Sequence, residues 1–337
     1  MKVLILRFSS LGDVILTMPV ALALKKEYPD AHVDLGTKLE YRDLFTPPSP
    51  FAKVVYLDDK GTIPFARKVN EQGYDIVADL HASLRTVAIT PFLKAGSRKR
   101  YKKGTFARRV LVKSGLKISS FPSVIERYMD IFGFKDIPET PWFPISRKDR
   151  NTGYHILKDA GVDKEIIVGI APGAKWDTKK WDIGRYIELA RNFGRESFDA
   201  VFVFGKGDEK DREALMAQAP DLKALDTSNY LLREIGYAIS MMDVFVSGDT
   251  GLMHLAEAAG TPVVAMFGPT TKEFGFFPKS AKSIVIEKSL PCRPCSLHGS
   301  NVCIYSHHRC MDNITVDEVE FAVSRLLKLA PRPGFEI

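Results

Sequence analysis

A chain of 337 residues has room for two hydrophobic cores at roughly 150 residues each. Its 45% apolar and 26% charged residues exclude a disordered or fibrous protein. The longest apolar stretch, Val14–Leu24, is interrupted by Thr17 and Pro19 and falls short of the ~20 residues a spanning helix needs. Arg7 and Asp13 stand where a signal peptide would have to be apolar, so a soluble, cytoplasmic protein is expected. The net charge of +7 is concentrated in one place. Between Leu80 and Ile125 there is no acidic residue but eleven Lys or Arg, among them Arg85, Lys94, Arg98, Arg108, Arg109 and Lys117. The rest of the chain is net acidic, and a local basic patch implies an anionic partner.

In chain order, Lys2–Arg7 (KVLILR) is an apolar run without alternation, as in a parallel strand buried on both faces. A Gly-containing turn, Phe8–Asp13, leads into a helix over Val14–Tyr28, with Pro19 as a kink or a delayed start. Strands are predicted at Val33–Leu35, Val54–Leu57 and Ile76–Asp79, with a helix at Pro64–Gln72 between the last two. The polar run Ser146–Gly153 marks the boundary between a first domain, 1–150, and a second, 151–314. The pattern then restarts, with strands at Ile166–Ala171, Ala200–Phe204, Asp243–Ser247 and Pro262–Phe267. Helices are predicted at Trp181–Asn192, Lys210–Ala217 and Leu252–Ala259. A last segment, 315–337, opens with an amphipathic helix capped by Thr315 and Glu318, and could pack back towards the first domain. This is an α/β protein of two Rossmann-like domains, whose parallel sheets would face each other across a cleft.

The sharpest motif is Ser247-Gly-Asp-Thr-Gly-Leu-Met-His254, a strand, turn and helix with no spare residues. Free amides of Thr250 and Gly251 at the helix start favour an anion, and His254 shares the helical face of Thr250. Asp249 would repel a phosphate, so it should fix the turn or meet a sugar hydroxyl. A second turn, Ala171–Trp181, adds Gly173, Lys175, Lys179 and Lys180, though it is not a P-loop. A third, Phe204-Gly-Lys-Gly-Asp208, follows the next strand, and together the three describe a nucleotide-diphosphate site. The first turn instead offers one carboxylate, Asp13, beside Gly12. As an N-cap it would be structural; opposite a nucleotide-sugar it could take the proton of an attacking hydroxyl in an inverting transfer. Cys292, Cys295, Cys303 and Cys310 fall together with His298, His307 and His308 interspersed, in a loop held by metal or packed by reduced thiols.

The segments RFSSLGDVILTMP, YDIVADLHASLRT, APGAKWDTKKW and VSGDTGLMHLAEAAGTPVVAMFGPT resemble the ADP-heptose:lipopolysaccharide heptosyltransferases, glycosyltransferase family 9, over essentially the whole chain. The cysteine segment looks like that of the second-heptose branch. The resemblance implies a GT-B fold and an inverting, metal-independent heptosyltransferase of lipopolysaccharide biosynthesis, with no cofactor beyond its donor, ADP-heptose. Asp13 and Lys179 fall on the catalytic carboxylate and the diphosphate-binding lysine. Gly12, Gly173, Lys175, Asp208, Asp249, Thr250, Gly251 and His254 fall on the donor site, with Asp208 in an uncertain register. Ser10, Arg85, Arg108, Arg109 and Arg127 fall near the acceptor, the anionic Kdo-bearing inner core of lipid A, met at the inner face of the cytoplasmic membrane. Two rivals are weaker. A nucleic-acid-binding protein would need aromatics interleaved in the basic segment, and Lys94–Lys113 offers only Tyr101 and Phe106. An epimerase, or a transferase of another nucleotide-sugar, remains the alternative within the fold.

Overall fold

The computed structural model describes residues 1–59, 61–114, 122–195, 198–225 and 227–329. Lys117 of the basic segment and residues 330–337 lie outside these. Contacts group the chain into two compact units, Met1–Thr105 with Pro122–Pro144, and Phe106–Phe121 with Ile145–Ile337.

The first unit contains β1 (Lys2–Leu6), α1 (Leu11–Ile15), α2 (Met18–Glu27), β2 (His32–Lys38), β3 (Lys53–Leu57), α3 (Thr62–Asn70), β4 (Tyr74–Asp79), α4 (Leu84–Ile89) and β5 (Ala95–Arg100). Beyond α5 (Thr105–Ser114), which groups with the second unit from Phe106 onward, it is completed by α6 (Val124–Asp130). Its described strands form a parallel sheet in the order β3-β2-β1-β4-β5. Leu4, Leu6, Phe8, Phe65 and Val77 are buried together on this sheet. Pro19 produces a delayed start: α1 ends first, and the proline occupies the first turn of α2, where its missing N–H costs nothing. In this unit the strand that sequence periodicity missed is β5, Ala-Gly-Ser-Arg-Lys-Arg. It is the sheet's edge, largely exposed, and so has no apolar run to betray it.

The second unit contains α7 (Arg147–Asp159), β6 (Ile166–Ala171), α8 (Ile183–Arg195), β7 (Phe198–Val203), α9 (Glu209–Gln218), β8 (Lys223–Leu225), α10 (Leu232–Ser240) and β9 (Val244–Gly248). It continues with α11 (Gly251–Ala259), β10 (Val263–Phe267), β11 (Ser283–Glu287), α12 (Arg309–Asp312) and α13 (Val316–Leu329). The sheet order is β11-β10-β9-β6-β7-β8, again parallel. Val168, Ile170, Phe202, Val246 and Met266 fill its core. The last helix belongs to this same core through Val319, Val323 and Leu326 and packs on α8 and β11. Its described residues thus form part of the second unit. No described helix is long and apolar enough to cross a membrane.

The contact division falls between Pro144 and Ile145, close to the expected boundary and just ahead of α7. A division after residue 150 would cut α7, whose polar first turns are capped by Ser146 and Asp149: the Ser146 N–H donates to Asp149 Oδ2 at 2.8 Å, and the Asp149 N–H to Ser146 Oγ at 3.2 Å. What reads as a linker is the wet face of a capped helix. Its dry face packs on α10, and there Gly153 lies so near the Tyr237 backbone that a Cβ would stand 2.5 Å from the carbonyl oxygen. Gly153→Ala is expected to force α7 and α10 apart and destabilise the protein by about 1–3 kcal/mol, read as a lower denaturation midpoint; an unchanged midpoint would mean the helices part freely.

Candidate active site

In both sheets the strand order reverses next to the first strand of the unit, between β1 and β4 and between β6 and β9. The turns leaving neighbouring parallel strands at such a switch point diverge above and below the sheet and leave room for a ligand.

In the second unit, Ala171 pairs with Ser247, so the turns after β6 and β9 begin side by side. From the first comes Lys179 and from the second Asp249, joined Nζ to Oδ2 at 2.5 Å, with both side chains largely buried. Thr270 Oγ1, beyond β10, donates to the same carboxylate oxygen at 2.9 Å. Asp249 is thus held from two sides and fixes the turn. Thr250 is the N-cap of α11: its Oγ1 accepts from the Met253 N–H at 3.4 Å and meets Ser247 Oγ at 3.0 Å. Gly251 is the first residue of that helix, whose nine residues aim their dipole at this point. His254 lies deeper than its spacing from Thr250 suggests. It is 4% exposed, against Phe276, with Nδ1 lacking a hydrogen-bond partner and Glu257 Oε2 3.9 Å away.

The turn after β7 does not offer its amides to a phosphate, because its own carboxylates take them. The Gly205 N–H donates to Asp208 Oδ2 at 2.7 Å and the Gly207 N–H to Glu209 Oε1 at 3.1 Å. Burial lifts the Asp208 carboxyl to about 6, although the Gly205 N–H pulls the other way. Asp208 also explains Gly173: a Cβ there would lie 2.1 Å from the carboxyl carbon. Lys175 is exposed and stacks over Trp176 at 5.3 Å, while Lys180 is engaged by Asp211 at 3.0 Å and Asp177 at 3.1 Å. Lys179 is the cation these turns bring to Asp249.

Sequence reasoning overlooked the groups that hold this arrangement. Thr178, next to the lysine, donates from Oγ1 to the Ser300 carbonyl at 2.8 Å and accepts the Ser300 N–H at 2.9 Å. His308 Nε2 lies 3.0 Å from the Thr178 carbonyl. Arg293 donates to the carbonyls of Gly268 at 2.5 Å and Thr270 at 2.9 Å, fixing the turn that carries Thr270. The cysteine-rich loop therefore braces both turns. Its four cysteines are free thiols, and Cys292 Sγ stands 3.8 Å from His307 Nε2. Burial and the neighbouring Cys295 lift the Cys310 thiol to about 11. Among the described residues no three His, Cys, Asp or Glu side chains group as metal ligands would.

In the first unit, the strand-end residue Arg7 is buried and donates to the Leu80 carbonyl, just past β4, at 2.7 Å. Its other terminal nitrogen meets Asp13 Oδ2 at 2.7 Å. Ser10 donates to the same oxygen through Oγ at 2.9 Å and through its N–H at 3.3 Å. Asp13 is thus the acidic half of a capping box as well as a charge partner. Burial works against the Arg7 charge, but Asp13 and the phenols of Tyr128 and Tyr101 outweigh it and raise the guanidinium above its ordinary value. Burial lowers that of Arg127, which still interacts with Tyr101, Tyr128 and Asp13. His81 accepts the Phe8 N–H on Nδ1 at 3.2 Å, and burial with Arg7 and Lys103 depresses it to about 4, so it is neutral at pH 7. Of the basic residues expected near an acceptor, Arg127 belongs to the Asp13 group. Arg85 is exposed on α4, while Arg108 and Arg109 fall in the second unit, Arg108 buried under Phe274 and Phe276. Gly12 is buried in α1. Arg7, the residue missed, is legible as a charge ending an otherwise apolar strand.

Two parallel Rossmann-type units, one with its charged turns at a switch point that ends in a helix N-terminus, are the fold of the GT-B class. The chain belongs to glycosyltransferase family 9 (heptosyltransferase), whose model matches residues 63–304. It is 24% identical to lipooligosaccharide heptosyltransferase 2 of Campylobacter jejuni over 97% of this chain and 99% of that one. It is 25% identical to lipopolysaccharide heptosyltransferase 2 of Salmonella typhimurium over 81% and 84%. Its fold is that of the solved E. coli ADP-heptose lps heptosyltransferase II, with a TM-score of 0.77, 21% identity, and coverage of 98% and 99%.

The depressed His81 has a measurable consequence. An unfolded histidine titrates near 6.5 and this one near 4, so the native state binds fewer protons in between and loses stability as pH falls through that window. Asp208, raised from 3.8 to about 6, acts oppositely, its contribution falling as pH rises. His81→Asn keeps an acceptor for the Phe8 N–H and is expected to remove the first slope alone. Denaturant titrations across pH 4–6.5 should then show the variant gaining on the wild type as pH drops; parallel curves would mean that His81 titrates normally.

Proposed function

We propose that the chain transfers a heptose from ADP-heptose to the Kdo/heptose inner core of lipopolysaccharide, with inversion at the anomeric carbon and with no metal ion in the chemistry. The observation that carries this reading is the buried Lys179–Asp249–Thr270 group at the head of α11 in a family 9 chain. The names of the relatives, heptosyltransferases of lipopolysaccharide and lipooligosaccharide, supply the substrate classes.

In the proposed reaction the donor diphosphate lies at the start of α11. Gly251 and the Thr250 hydroxyl serve its oxygens, and Lys179 turns from Asp249 towards the leaving group. As the anomeric C–O bond breaks, charge grows on the departing ADP, and a lysine with helix amides meets it where other enzymes use a divalent cation. Asp13 accepts the proton of the acceptor hydroxyl while that oxygen forms the new bond from the opposite face. Arg127, with Arg85, Arg108 and Arg109, is assigned to the carboxylates and phosphates of the acceptor, and Ser10 keeps the Asp13 carboxylate in place. Gly173, Lys175, Asp208 and His254 support the donor. The protein would work in the cytoplasm, peripheral to the inner face of the membrane, without nucleic acid.

Asp13→Asn keeps an acceptor for Ser10 and removes the base. Transfer should fall by ~10²-fold or more while ADP binding, measured by calorimetry, stays within a few-fold; equal loss of both would make Asp13 structural. Lys179→Ala should lower kcat by ~10²-fold or more, whereas a defect confined to KM would remove its role in the transition state. Chelation with EDTA should leave the rate unchanged, and a loss reversed by a divalent ion would disprove the metal-free chemistry.

A further inference from the structure

Helix α4 is apolar on both sides. Thr86 and Ile89 face the core, and the 3-10 turn Thr90–Phe92 that follows is held by Thr90 and Leu93. The opposite side should be polar, yet it carries Leu84, Val87 and Ala88, then Pro91 and Phe92, all exposed. Leu84 is 92% exposed and Phe92 76%. The positions 84, 87, 88 and 91 recur at helical spacing, so they form one stripe rather than scattered surface residues. Beside it in sequence are the exposed Arg85 and Lys94, and Arg98, whose guanidinium donates to the Leu93 carbonyl at 2.8 Å, all in the stretch from Leu80 to Ile125 that has no acid.

Basic residues on an edge strand such as β5 can serve merely to prevent sheet-to-sheet pairing. That accounts for Arg98, and for Lys94 just before the strand, but not for an exposed leucine on the preceding helix and phenylalanine in the turn after it. A second copy of the chain is a poor occupant, because a two-fold contact would set the basic border, Arg85 and Lys94 above all, against the same border of the other copy. A surface with anionic headgroups above an apolar layer satisfies both halves: the side chains of the stripe enter the acyl boundary while the cations meet phosphates.

We propose that the exposed face of α4 and the turn after it, Leu84 to Phe92 with its basic border, docks this protein on an anionic phospholipid bilayer. This deepens the proposed membrane contact, which names no surface, and it stands apart from the transfer chemistry. Arg85 is shared with the proposed acceptor contacts, whereas none of Leu84, Phe92 or Lys94 is assigned to donor, acceptor or catalysis.

The test is cosedimentation of the full chain with phosphatidylglycerol/phosphatidylethanolamine vesicles and with neutral phosphatidylcholine vesicles. Wild type should pellet with the first and not the second, and less at high salt. Leu84→Ser with Phe92→Ser should lower the partition coefficient by about tenfold or more, and Lys94→Glu by roughly tenfold. Phe321→Ser, on the exposed side of α13, serves as a control for loss of any surface aromatic and should change nothing. Transfer to a deacylated, water-soluble acceptor should be unaffected in every variant, so a failed transfer reading and a failed docking face are told apart. The proposal is overturned if wild type ignores anionic vesicles, if the double variant binds as wild type does, or if that variant instead converts an oligomer to monomers in sedimentation velocity.

Discussion

The second unit depends on one topological constraint, the adjacency of β6 and β9. Because these strands lie side by side but far apart in sequence, the turns that leave them carry Lys179 and Asp249 to within an ion-pair distance. The pair is largely buried, and buried charges are tolerable only when each has its partner and its hydrogen bonds. Thr270 supplies one such bond, Thr178 anchors the lysine turn to Ser300, and Arg293 anchors the threonine turn. The cysteine-rich loop is therefore part of the site's support although it brings no group to the ion pair itself.

The first unit solves a related problem with different residues. Arg7 ends a strand that is otherwise apolar, and its guanidinium is buried beside Asp13, Tyr101 and Tyr128. An arginine so placed does two things at once: it ties β1 to the residue after β4, and it holds the carboxylate of α1 in one position. Ser10 adds the capping contact, so the local helix start and the proposed chemistry share the same oxygen. That sharing is why Asn, rather than Ala, is the informative replacement at position 13.

The basic segment is not one feature. Lys99 and Arg100 turn inward, Lys99 to the Ile131 carbonyl and Arg100 to Asp79, while Arg108 is buried under two phenylalanines. Arg85 and Lys94 remain on the surface beside the apolar stripe of α4, and Arg98, though exposed, donates to the Leu93 carbonyl. A run of like charge in sequence is thus divided by the fold into cations engaged within the protein and an exposed border.

Much of the fold was legible because a parallel sheet buried on both faces writes itself as short apolar runs, and β1, β6, β7, β9 and β10 all do. The edge strand β5 and the capped helix α7 were not, since an exposed strand has no apolar signature and a polar helix face looks like a linker. The sequence by itself determined the parallel α/β class and the Asp-Thr-Gly turn at the head of α11, and its family resemblance singled out Asp13 and Lys179 as candidate residues. Which charges meet was decided only by tertiary structure: that Lys179 rather than Lys175 reaches Asp249, that Asp208 spends itself on its own turn, that His254 is buried, and that Arg7 backs Asp13. The reason is physical: local patterns report periodicity and turn chemistry, whereas an ion pair between residues 179 and 249 exists only once two strands have been laid next to each other.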